Sequence, residues 1–262
     1  MGIRVQVTGH EDAGFKLILK GYWIILIVQS SMIGNNIEHI RDRVTRRCLS
    51  AGRNPSDITI LAASKTFAAE DVAEAVHHGV PDIGENYVQE LLQKRSALND
   101  DHIRWHFIGH LQSNKVKQII DWIYLIHAVD GEDLAREIDR RAQRADRTVD
   151  ILLEVNTTGE HSKFGLRPDH TVAFVHQLTS LENIRVRGLM TIGPFLPDPE
   201  GSRPMFRQLR ELRDEISLLH QPNVAMEHLS MGMTGDFEVA IDEGATILRI
   251  GTAIFGSRRK QN

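Results

Sequence analysis

Short apolar runs alternate along the chain with longer stretches in which apolar residues recur every three or four positions. The short runs predict buried strands, and the longer stretches predict amphipathic helices. Strands are predicted over Ile58 to Ala63, Val80 to Ile83, Trp105 to Ile108, Trp122 to Ala128, Asp150 to Val155, Ile184 to Met190, Ala225 to Leu229 and Ala245 to Ile250. Helices are predicted over Ala68 to His78, Tyr87 to Leu98, Gly131 to Ala145, Asp169 to Ser180 and Met205 to His220.

Strands joined by crossover helices lie parallel, and this many repeats favour a closed (β/α)8 TIM barrel over an open sheet. No GxGxxG sequence follows the first predicted strand, which argues against a dinucleotide-binding fold. A chain of 262 residues suits one such barrel, since the fold commonly fills about 250 residues. No internal stretch resembles a domain linker.

The N-terminal segment does not follow this repeat. Its apolar run from Gly21 to Val28 is too short to span a bilayer, and no small-residue cleavage site follows it. Immediately after Met32, an additional helix is predicted from Asn35 onward to Ser50. We therefore expect residues 1–31 to be an extension that is poorly ordered or a start-site artefact, and residues 32–262 to form the barrel domain.

The overall composition excludes some classes of function. A formal net charge of -4 gives no electrostatic footprint for nucleic acid. The single cysteine, Cys48, excludes an internal disulfide and suits a reducing compartment, so we expect a cytoplasmic protein without membrane association. Its place in the predicted N-terminal helix indicates a small buried side chain rather than a nucleophile.

One lysine, Lys65, directly follows the first predicted strand, whereas the other lysines lie in predicted helices, loops or tails. An ammonium group beside apolar surroundings is costly to keep charged, so its amine becomes nucleophilic. This is the chemistry of Schiff-base formation with a carbonyl compound or with pyridoxal phosphate. Taken alone, a lysine at a strand end has a simpler interpretation, in which its amine extends to solvent.

Two loops suited to phosphate follow the last two predicted strands. In such barrels the site lies at the C-terminal strand ends, and phosphate is often held after strands seven and eight. Ser230 to Asp236 and Arg249 to Gly256 carry small residues and hydroxyls that suit an anion. Barrel closure places strand eight beside strand one, so we expect Lys65 to lie within reach of both loops. Each loop taken singly is also explained by tight turns.

Polar residues follow several other predicted strands: Glu85, Asn86, Tyr87, His110, Asn156 and Thr191. Arg249, at the end of the eighth strand, is placed to meet a pyridine nitrogen. A guanidinium cannot accept a proton, so it would keep that nitrogen unprotonated and weaken the cofactor as an electron sink. A structural ion pair with a carboxylate is the alternative for Arg249.

A series of motifs then appears in order along the chain. It comprises Ala63-Ser64-Lys65-Thr66, Gly84-Glu85-Asn86-Tyr87-Val88-Gln89-Glu90, Trp105-His106-Phe107-Ile108-Gly109, Leu111-Gln112-Ser113-Asn114-Lys115, Glu154-Val155-Asn156, Ser162-Lys163-Phe164-Gly165, Arg187-Gly188-Leu189-Met190, Leu229-Ser230-Met231-Gly232-Met233 and Arg249-Ile250-Gly251-Thr252-Ala253-Ile254-Phe255-Gly256. The series resembles the pyridoxal phosphate homeostasis protein family, the YggS/PROSC group. The resemblance covers the chain from Met32 to Arg258.

The resemblance implies the alanine-racemase N-terminal type of barrel, also called fold type III. It implies pyridoxal 5'-phosphate bound covalently to Lys65 as an aldimine. It further implies a phosphate held by Ser230, Gly251 and Thr252, a pyridine nitrogen faced by Arg249, and a ring approached by Asn86 and Met190. Two positions depart from the family pattern. Thr234 replaces the usual serine and keeps its hydroxyl, and His110 replaces a common proline at the site entrance.

The resemblance implies a carrier or regulator of intracellular pyridoxal phosphate (vitamin B6), without catalytic turnover, that passes cofactor transiently to apoenzymes. The alternative is an active amino-acid racemase or decarboxylase. Racemisation requires acid/base groups on both faces of the substrate, and Lys65 could serve only one of them. We expect the second, β-rich domain of racemases to be missing, since the sequence ends soon after the last motif. We therefore favour the carrier, and we expect a monomer.

A metal hydrolase is a third possible class, because His102, His106 and His110 recur every four residues. On a helix this spacing would align three imidazoles for a metal ion. The residues between them predict a strand instead, which spreads the imidazoles apart. We therefore expect no metal site.

Overall fold

A computed structural model of the protein describes residues 16–19, 22–25, 31–160, 164–194 and 196–257. Eight parallel strands close into a barrel that helices surround. The strands are β1 Thr59–Ala63, β2 Asp82–Glu85, β3 Arg104–Phe107, β4 Leu125–Val129, β5 Val149–Glu154, β6 Ile184–Met190, β7 Val224–Ser230 and β8 Ile247–Ile250. The helices are α1 Met32–Ser50, α2 Ala69–His77, α3 Val88–Leu98, α4 Glu132–Arg144, α5 Pro168–Leu178, α6 Arg203–Ser217, α7 Phe237–Asp242 and α8 Thr252–Phe255.

The predicted (β/α)8 barrel is confirmed, and each predicted strand overlaps an observed one. The largest difference lies at β4, which begins at Leu125 rather than Trp122. The residues before it belong to a tight connection that starts with the 3-10 helix Ser113–Gln118. Ile119 and Ile123 in this connection are fully buried, so their apolar pattern serves packing rather than strand pairing.

Closure of the barrel brings the first and last strands together. β8 pairs with β1 in parallel, with Ile247 opposite Thr59 and Ile250 opposite Ala62. This confirms the expected neighbourhood of strands one and eight. The loop that follows β1 and the loop that follows β8 therefore leave the barrel side by side at its C-terminal end.

The core has two layers. The larger layer fills the space between the strands and the surrounding helices and is apolar. A smaller apolar cluster lies apart from it and consists of Leu61, Ile108, Leu125, Ala128, Leu152, Met190 and Ile247. Branched apolar side chains usually fill the inside of such a barrel. Here buried polar side chains from β2, β3, β4, β7 and β8 accompany them, and these polar groups lead to the candidate site.

Helix α1 precedes the barrel repeat and packs against α7 and α8. Its cap is Ser31, whose Oγ accepts a hydrogen bond from the Gly34 N–H at 3.0 Å. Cys48 in α1 is fully buried, as predicted. Residues 16–19 and 22–25 pair as antiparallel strands. The remainder of the segment 1–31, apart from Ser31, lies outside the described residues, so the expectation for that segment stays a prediction.

Within the described ranges, each helix is too short or too polar to cross a bilayer.

Candidate functional site

A cavity of about 180 Å³ opens at the C-terminal end of the barrel. Its lining consists of Ala63, Lys65, Phe67, Asn86, Ile108, Ile192, Met233, Thr234, Arg249, Gly251 and Thr252. Two of these side chains are cations, two are hydroxyls and one is an amide, and the described lining includes no carboxylate. A pocket with this composition suits a ligand that carries several negative charges.

The cavity brings together most of the predicted site residues. Lys65, Asn86, Arg249, Gly251 and Thr252 all line it, although they come from the ends of three different strands.

Two predicted residues do not line the cavity. Met190 and Ser230 are the last residues of β6 and β7, and both are fully buried. Met190 packs within the smaller apolar cluster. The Ser230 hydroxyl is hydrogen-bonded to Arg249 and His127. Both side chains therefore lie beneath the cavity.

Ser64 anchors the loop that carries Lys65 on its N-terminal side. The Ser64 N–H donates to the carbonyl of Gly84 at 3.0 Å, and its hydroxyl donates to the Glu85 carboxylate. Lys94 of α3, which is 5% exposed, donates from Nζ to the Ser64 carbonyl at 2.7 Å and forms a close ion pair with Glu85. All three polar groups of Ser64, its N–H, its hydroxyl and its carbonyl, are thus held by buried partners.

The other side of Lys65 is anchored through Glu90 of α3. The Thr66 N–H donates to Glu90 Oε2 at 2.7 Å, and Lys94 Nζ lies 3.4 Å from the same oxygen. Thr66 has a φ of 69°, a left-handed conformation that costs roughly 1–2 kcal/mol for a residue with a Cβ. The bonds to α3 hold this conformation. Lys65 therefore projects from a short loop that is fixed on both sides.

The ion pair of Lys94 and Glu85 is the electrostatic centre of this anchor. Burial raises the pKa of the Glu85 carboxyl, and the Lys94 ammonium opposes part of that rise. A buried pair of this kind is costly to form but still more costly to break, because the remaining charge would lack a partner.

Arg249 of β8 is held as firmly as the Lys65 loop. It is 5% exposed, and its Nη1 donates to the carbonyl and the hydroxyl of Ser230 at 2.7 and 2.8 Å. Its Nη2 donates to the carbonyl of Thr191 at 2.7 Å. Burial lowers the pKa of Arg249 to about 10, so the guanidinium is still charged at neutral pH. One fixed cation therefore faces the cavity from β8.

A chain of hydrogen bonds runs from Arg249 through the inside of the barrel. Ser230 Oγ lies 3.0 Å from His127 Nδ1, and His127 Nε2 lies 2.9 Å from His106 Nδ1. His106 Nε2 lies 3.0 Å from Asp82 Oδ1. Because β4 and β7 are not neighbours in the barrel, the bond between His127 and Ser230 crosses its interior.

The chemistry of the end groups fixes the direction of every bond in this chain. An ionised Asp82 can only accept, so His106 donates from Nε2 and, when neutral, accepts at Nδ1. His127 must then donate from Nε2 and accept at Nδ1 from the Ser230 hydroxyl. Arg249 can only donate, so Ser230 accepts from it. The one hydroxyl proton of Ser230 is committed to His127, and its predicted contact with a phosphate stays a prediction.

The pKa shifts agree with this arrangement. Burial lowers the pKa of both His106 and His127, which favours the neutral rings that the chain requires. Burial alone would raise the pKa of Asp82, but hydrogen bonds from His106 and Arg104 hold it below its usual value. The chain therefore carries a positive charge at Arg249, a negative charge at Asp82 and neutral groups between them.

We predict that His106 and His127 each carry their proton on Nε2 and titrate below the ordinary histidine pKa, because burial lowers the pKa of both rings. Two-bond proton–nitrogen correlation spectra of protein with ¹⁵N-labelled histidine measure both properties. Single His106→Gln and His127→Gln variants assign the signals. An Nδ1-protonated ring, or titration near the ordinary histidine pKa, would contradict the assigned direction of the hydrogen bonds.

The loops after β2 and β3 approach each other closely beside the cavity. A Cβ at Gly109 would lie 2.7 Å from the Cα of Asn86, so glycine alone allows this contact. The Oδ1 atom of Asn86 is buried and accepts no hydrogen bond from the described part of the chain. The Asn86 amide is therefore positioned by backbone packing and is available to a ligand.

Hydroxyl groups gather where β8 leads into α8. Thr252 Oγ1 lies 3.3 Å from Thr234 Oγ1, which also accepts from the Ala253 N–H at 3.3 Å. Thr234, at the position where the family pattern has serine, thus joins the loops that follow β7 and β8. Farther around the rim, His110 stacks on Phe164 with ring centroids 4.0 Å apart.

Glu154, the last residue of β5, lies in an unusual environment for a carboxyl. It is 6% exposed, and it lines a second cavity beside the first. Burial and the nearby charge of Asp130 raise the pKa of Glu154 to about 7, although Arg249 opposes the rise.

A raised carboxyl pKa predicts a loss of stability with rising pH. The folded state retains the Glu154 proton at pH values where the unfolded chain has released it, so this contribution is full below about pH 4.5 and is lost as pH rises through about 7. Glu154→Gln stays neutral and should gain about 2 kcal/mol of unfolding free energy over the parent protein between about pH 5 and 8.

Urea unfolding at the two pH values measures this gain. Glu132→Gln changes an exposed carboxylate of α4 and should show no such gain. A difference between Glu154→Gln and the parent that is independent of pH would contradict the raised pKa.

Comparison with known proteins assigns the chain to a family. A family model for the N-terminal domain of alanine racemase matches residues 33–259. A pyridoxal phosphate homeostasis protein of Aquifex aeolicus is 47% identical over 223 residues, which cover 85% of this chain and 97% of that protein. The Homo sapiens pyridoxal phosphate homeostasis protein is 38% identical over 242 residues, with 86% of each chain covered. This chain belongs to the pyridoxal phosphate homeostasis protein family.

A solved structure supports the same assignment. PipY of Synechococcus elongatus, in a crystal form described as having PLP bound, superposes with a TM-score of 0.76 at 31% identity. The match covers 86% of this chain and 100% of that one. Family membership therefore confirms the resemblance that the motif series indicated, and the barrel is shared with a relative that binds pyridoxal phosphate.

Several residues around the cavity receive no functional role from the sequence patterns. The sequence patterns place Lys94 only within a predicted helix and His127 only within a predicted strand. Asp82 and Glu154 received no role. The sequence does mark three of these positions, because the polar residues Asp82, His106 and His127 interrupt predicted strands that are otherwise largely apolar. Their partners could not be found from the sequence, since those contacts depend on barrel closure.

Proposed function

We propose that the protein holds pyridoxal 5'-phosphate as a Schiff base on Lys65 and serves intracellular cofactor homeostasis as a carrier or regulator rather than as a catalyst. One observation carries this proposal. The cavity presents Lys65 and Arg249 together, with two hydroxyls, one amide and no carboxylate among its described lining residues. A phosphorylated aldehyde with an aromatic nitrogen satisfies each of these groups.

The residues present fit the cofactor in charge and in hydrogen-bonding capacity. The Asn86 Oδ1 atom is buried without a partner in the described ranges, and rotation of its amide would let it accept from or donate to a ring substituent. Thr234 and Thr252 supply hydroxyl donors at the start of α8. A Cβ at Gly251 would lie 3.2 Å from the Ala63 carbonyl, so a larger residue would crowd the floor between β8 and β1.

Each predicted residue receives a proposed role. When bound, the cofactor supplies an aldehyde that reacts with primary amines and a pyridine ring that withdraws electrons. Gly251 and Thr252 would bind its phosphate, Arg249 would face its ring nitrogen, and Asn86 would contact the ring. Met190 and Ser230 would act from beneath the cavity. Direct contact between Ser230 and the phosphate would require its hydroxyl to leave His127.

The charge state of Arg249 favours a carrier over a catalyst. With a pKa of about 10, its guanidinium is protonated and cannot give a proton readily to the ring nitrogen. An unprotonated pyridine is a weaker electron sink, so carbanion chemistry receives less assistance. The names of the relatives, which describe homeostasis rather than a reaction, support the same interpretation.

Further parts of the proposal concern the protein's context. We propose that the barrel domain spans residues 32–262, in keeping with the family match over residues 33–259. We propose that the protein acts as a monomer in the cytoplasm and passes cofactor to apoenzymes by transient contact.

The covalent link is tested by absorbance spectra of protein loaded with pyridoxal phosphate, before and after borohydride reduction. We predict a visible band for the parent protein and for Lys117→Ala, an exposed control lysine. Lys65→Ala should lose the band and should not be labelled by reduction, because Lys65 is the one lysine among the described residues that line the cavity. A band that persists in Lys65→Ala would refute the assignment.

The carrier role is tested separately on the loaded protein. Incubation with L- and D-amino acids should give no sustained racemisation or decarboxylation when chirality and amine loss are followed. Many turnovers per protein would show an enzyme instead.

A further inference from the structure

A second chamber of about 570 Å³ adjoins the Lys65 cavity. Asn86, Ile108 and Ile192 line both spaces and form their common wall. A small molecule in the second chamber would therefore lie directly beside a cofactor held in the first. The volume exceeds that of a typical amino acid and leaves room for a side chain.

The inner wall of this chamber contains Glu154. Its side chain is 6% exposed and makes no hydrogen bond or ion pair with any residue that the structure describes. A buried carboxylate without a partner is unfavourable. The other buried carboxylates all have partners, namely Asp82 with Arg104, Glu85 with Lys94, Asp236 with Ser202 and Glu243 with Arg203. Glu154 is the exception, and it faces an open space.

Charged groups of both signs lie around Glu154. Asp130 adds negative potential from the loop after β4, and Arg249 opposes it from β8. Asp130 itself accepts from the Gly165 N–H at 3.4 Å and lies 4.0 Å from His110. Lys115 stands on the wall formed by the connection after β3. The remaining wall is largely apolar or aromatic.

A metal ion does not fit this wall. Across the described ranges, no group of three or more histidine, cysteine, aspartate or glutamate side chains is arranged to hold one. A single buried carboxylate beside apolar and aromatic surfaces instead suits an ammonium group on a carbon stem, since both parts of such a ligand find complementary partners.

We propose that the second chamber binds a primary ammonium compound, either a free amino acid or the side chain of a protein lysine, with its ammonium group on Glu154. His110 and Phe164 line the same chamber and would border the ligand's carbon skeleton. This inference builds on the proposed function, because it places an amine next to the one that Lys65 offers to the cofactor.

Ligand-observed NMR titrations on the protein without pyridoxal phosphate test the proposal. The probes are L-alanine for a free amino acid and N-acetyl-lysine amide for a protein lysine, with propionate as a probe that lacks the ammonium group. At pH 8 we expect at least one amine to bind the parent protein and Glu132→Gln equally. Glu154→Gln should bind it at least tenfold more weakly, and propionate should not bind at this site.

The pH dependence gives a readout that a merely structural Glu154 would not produce. Protonation of a carboxyl with a pKa of about 7 should weaken amine binding about tenfold from pH 8 to pH 6. Equal binding by Glu154→Gln and the parent, or no amine binding by the parent, would overturn the proposal. If the parent still takes up pyridoxal phosphate on Lys65, only this inference fails; if the amines bind but the cofactor does not, the proposed function fails instead.

Discussion

The buried ion pair between Lys94 and Glu85 is the interaction on which the site depends most. Lys94 joins α3 to the end of β1 through the Ser64 carbonyl, and Glu85 joins the end of β2 to the Ser64 hydroxyl. Glu90 holds Thr66 on the other side. A nucleophilic lysine is effective when its backbone is fixed, since less entropy is lost when the ligand binds. The buried charges of Lys94 and Glu85 therefore serve to position Lys65. Their burial makes the fold less stable than an apolar core at the same place would make it.

The chain of hydrogen bonds inside the barrel positions Arg249 in a similar way. Asp82, His106, His127 and Ser230 replace part of the apolar filling that such barrels normally contain. Their burial is tolerated because each donor in this chain of hydrogen bonds meets an acceptor. This chain of hydrogen bonds ends at Arg249, which it holds in one orientation through Ser230. The cavity thus has two fixed cations, one supported by α3 and the other by the barrel interior.

Much of the fold and part of the site can be predicted from local sequence patterns. The eight strands, the closure of β8 on β1, and the positions of Lys65 and Arg249 follow from apolar runs and from the residues that end them. The remaining contacts of the site depend on the direction in which each side chain points once the barrel has closed. Ser230 was expected to face a phosphate, but its side chain is buried beneath the cavity, where it reaches His127 across the barrel. Glu154 lies in an apolar run that predicts a buried strand, but the charges that surround it, Asp130 and Arg249, are distant in sequence and meet it only after closure.

The claim that α3 preorganises Lys65 is tested most directly by Glu90→Ala, with Gln93→Ala on the same helix as the control. The measurement is the fraction of protein trapped by borohydride as a function of pyridoxal phosphate concentration, with circular dichroism confirming the fold of both variants. Loss of the Thr66 bond should raise the half-saturating concentration about tenfold, since a hydrogen bond to a charged group contributes on the order of 1.5 kcal/mol. Equal half-saturation for Glu90→Ala and Gln93→Ala would contradict the account.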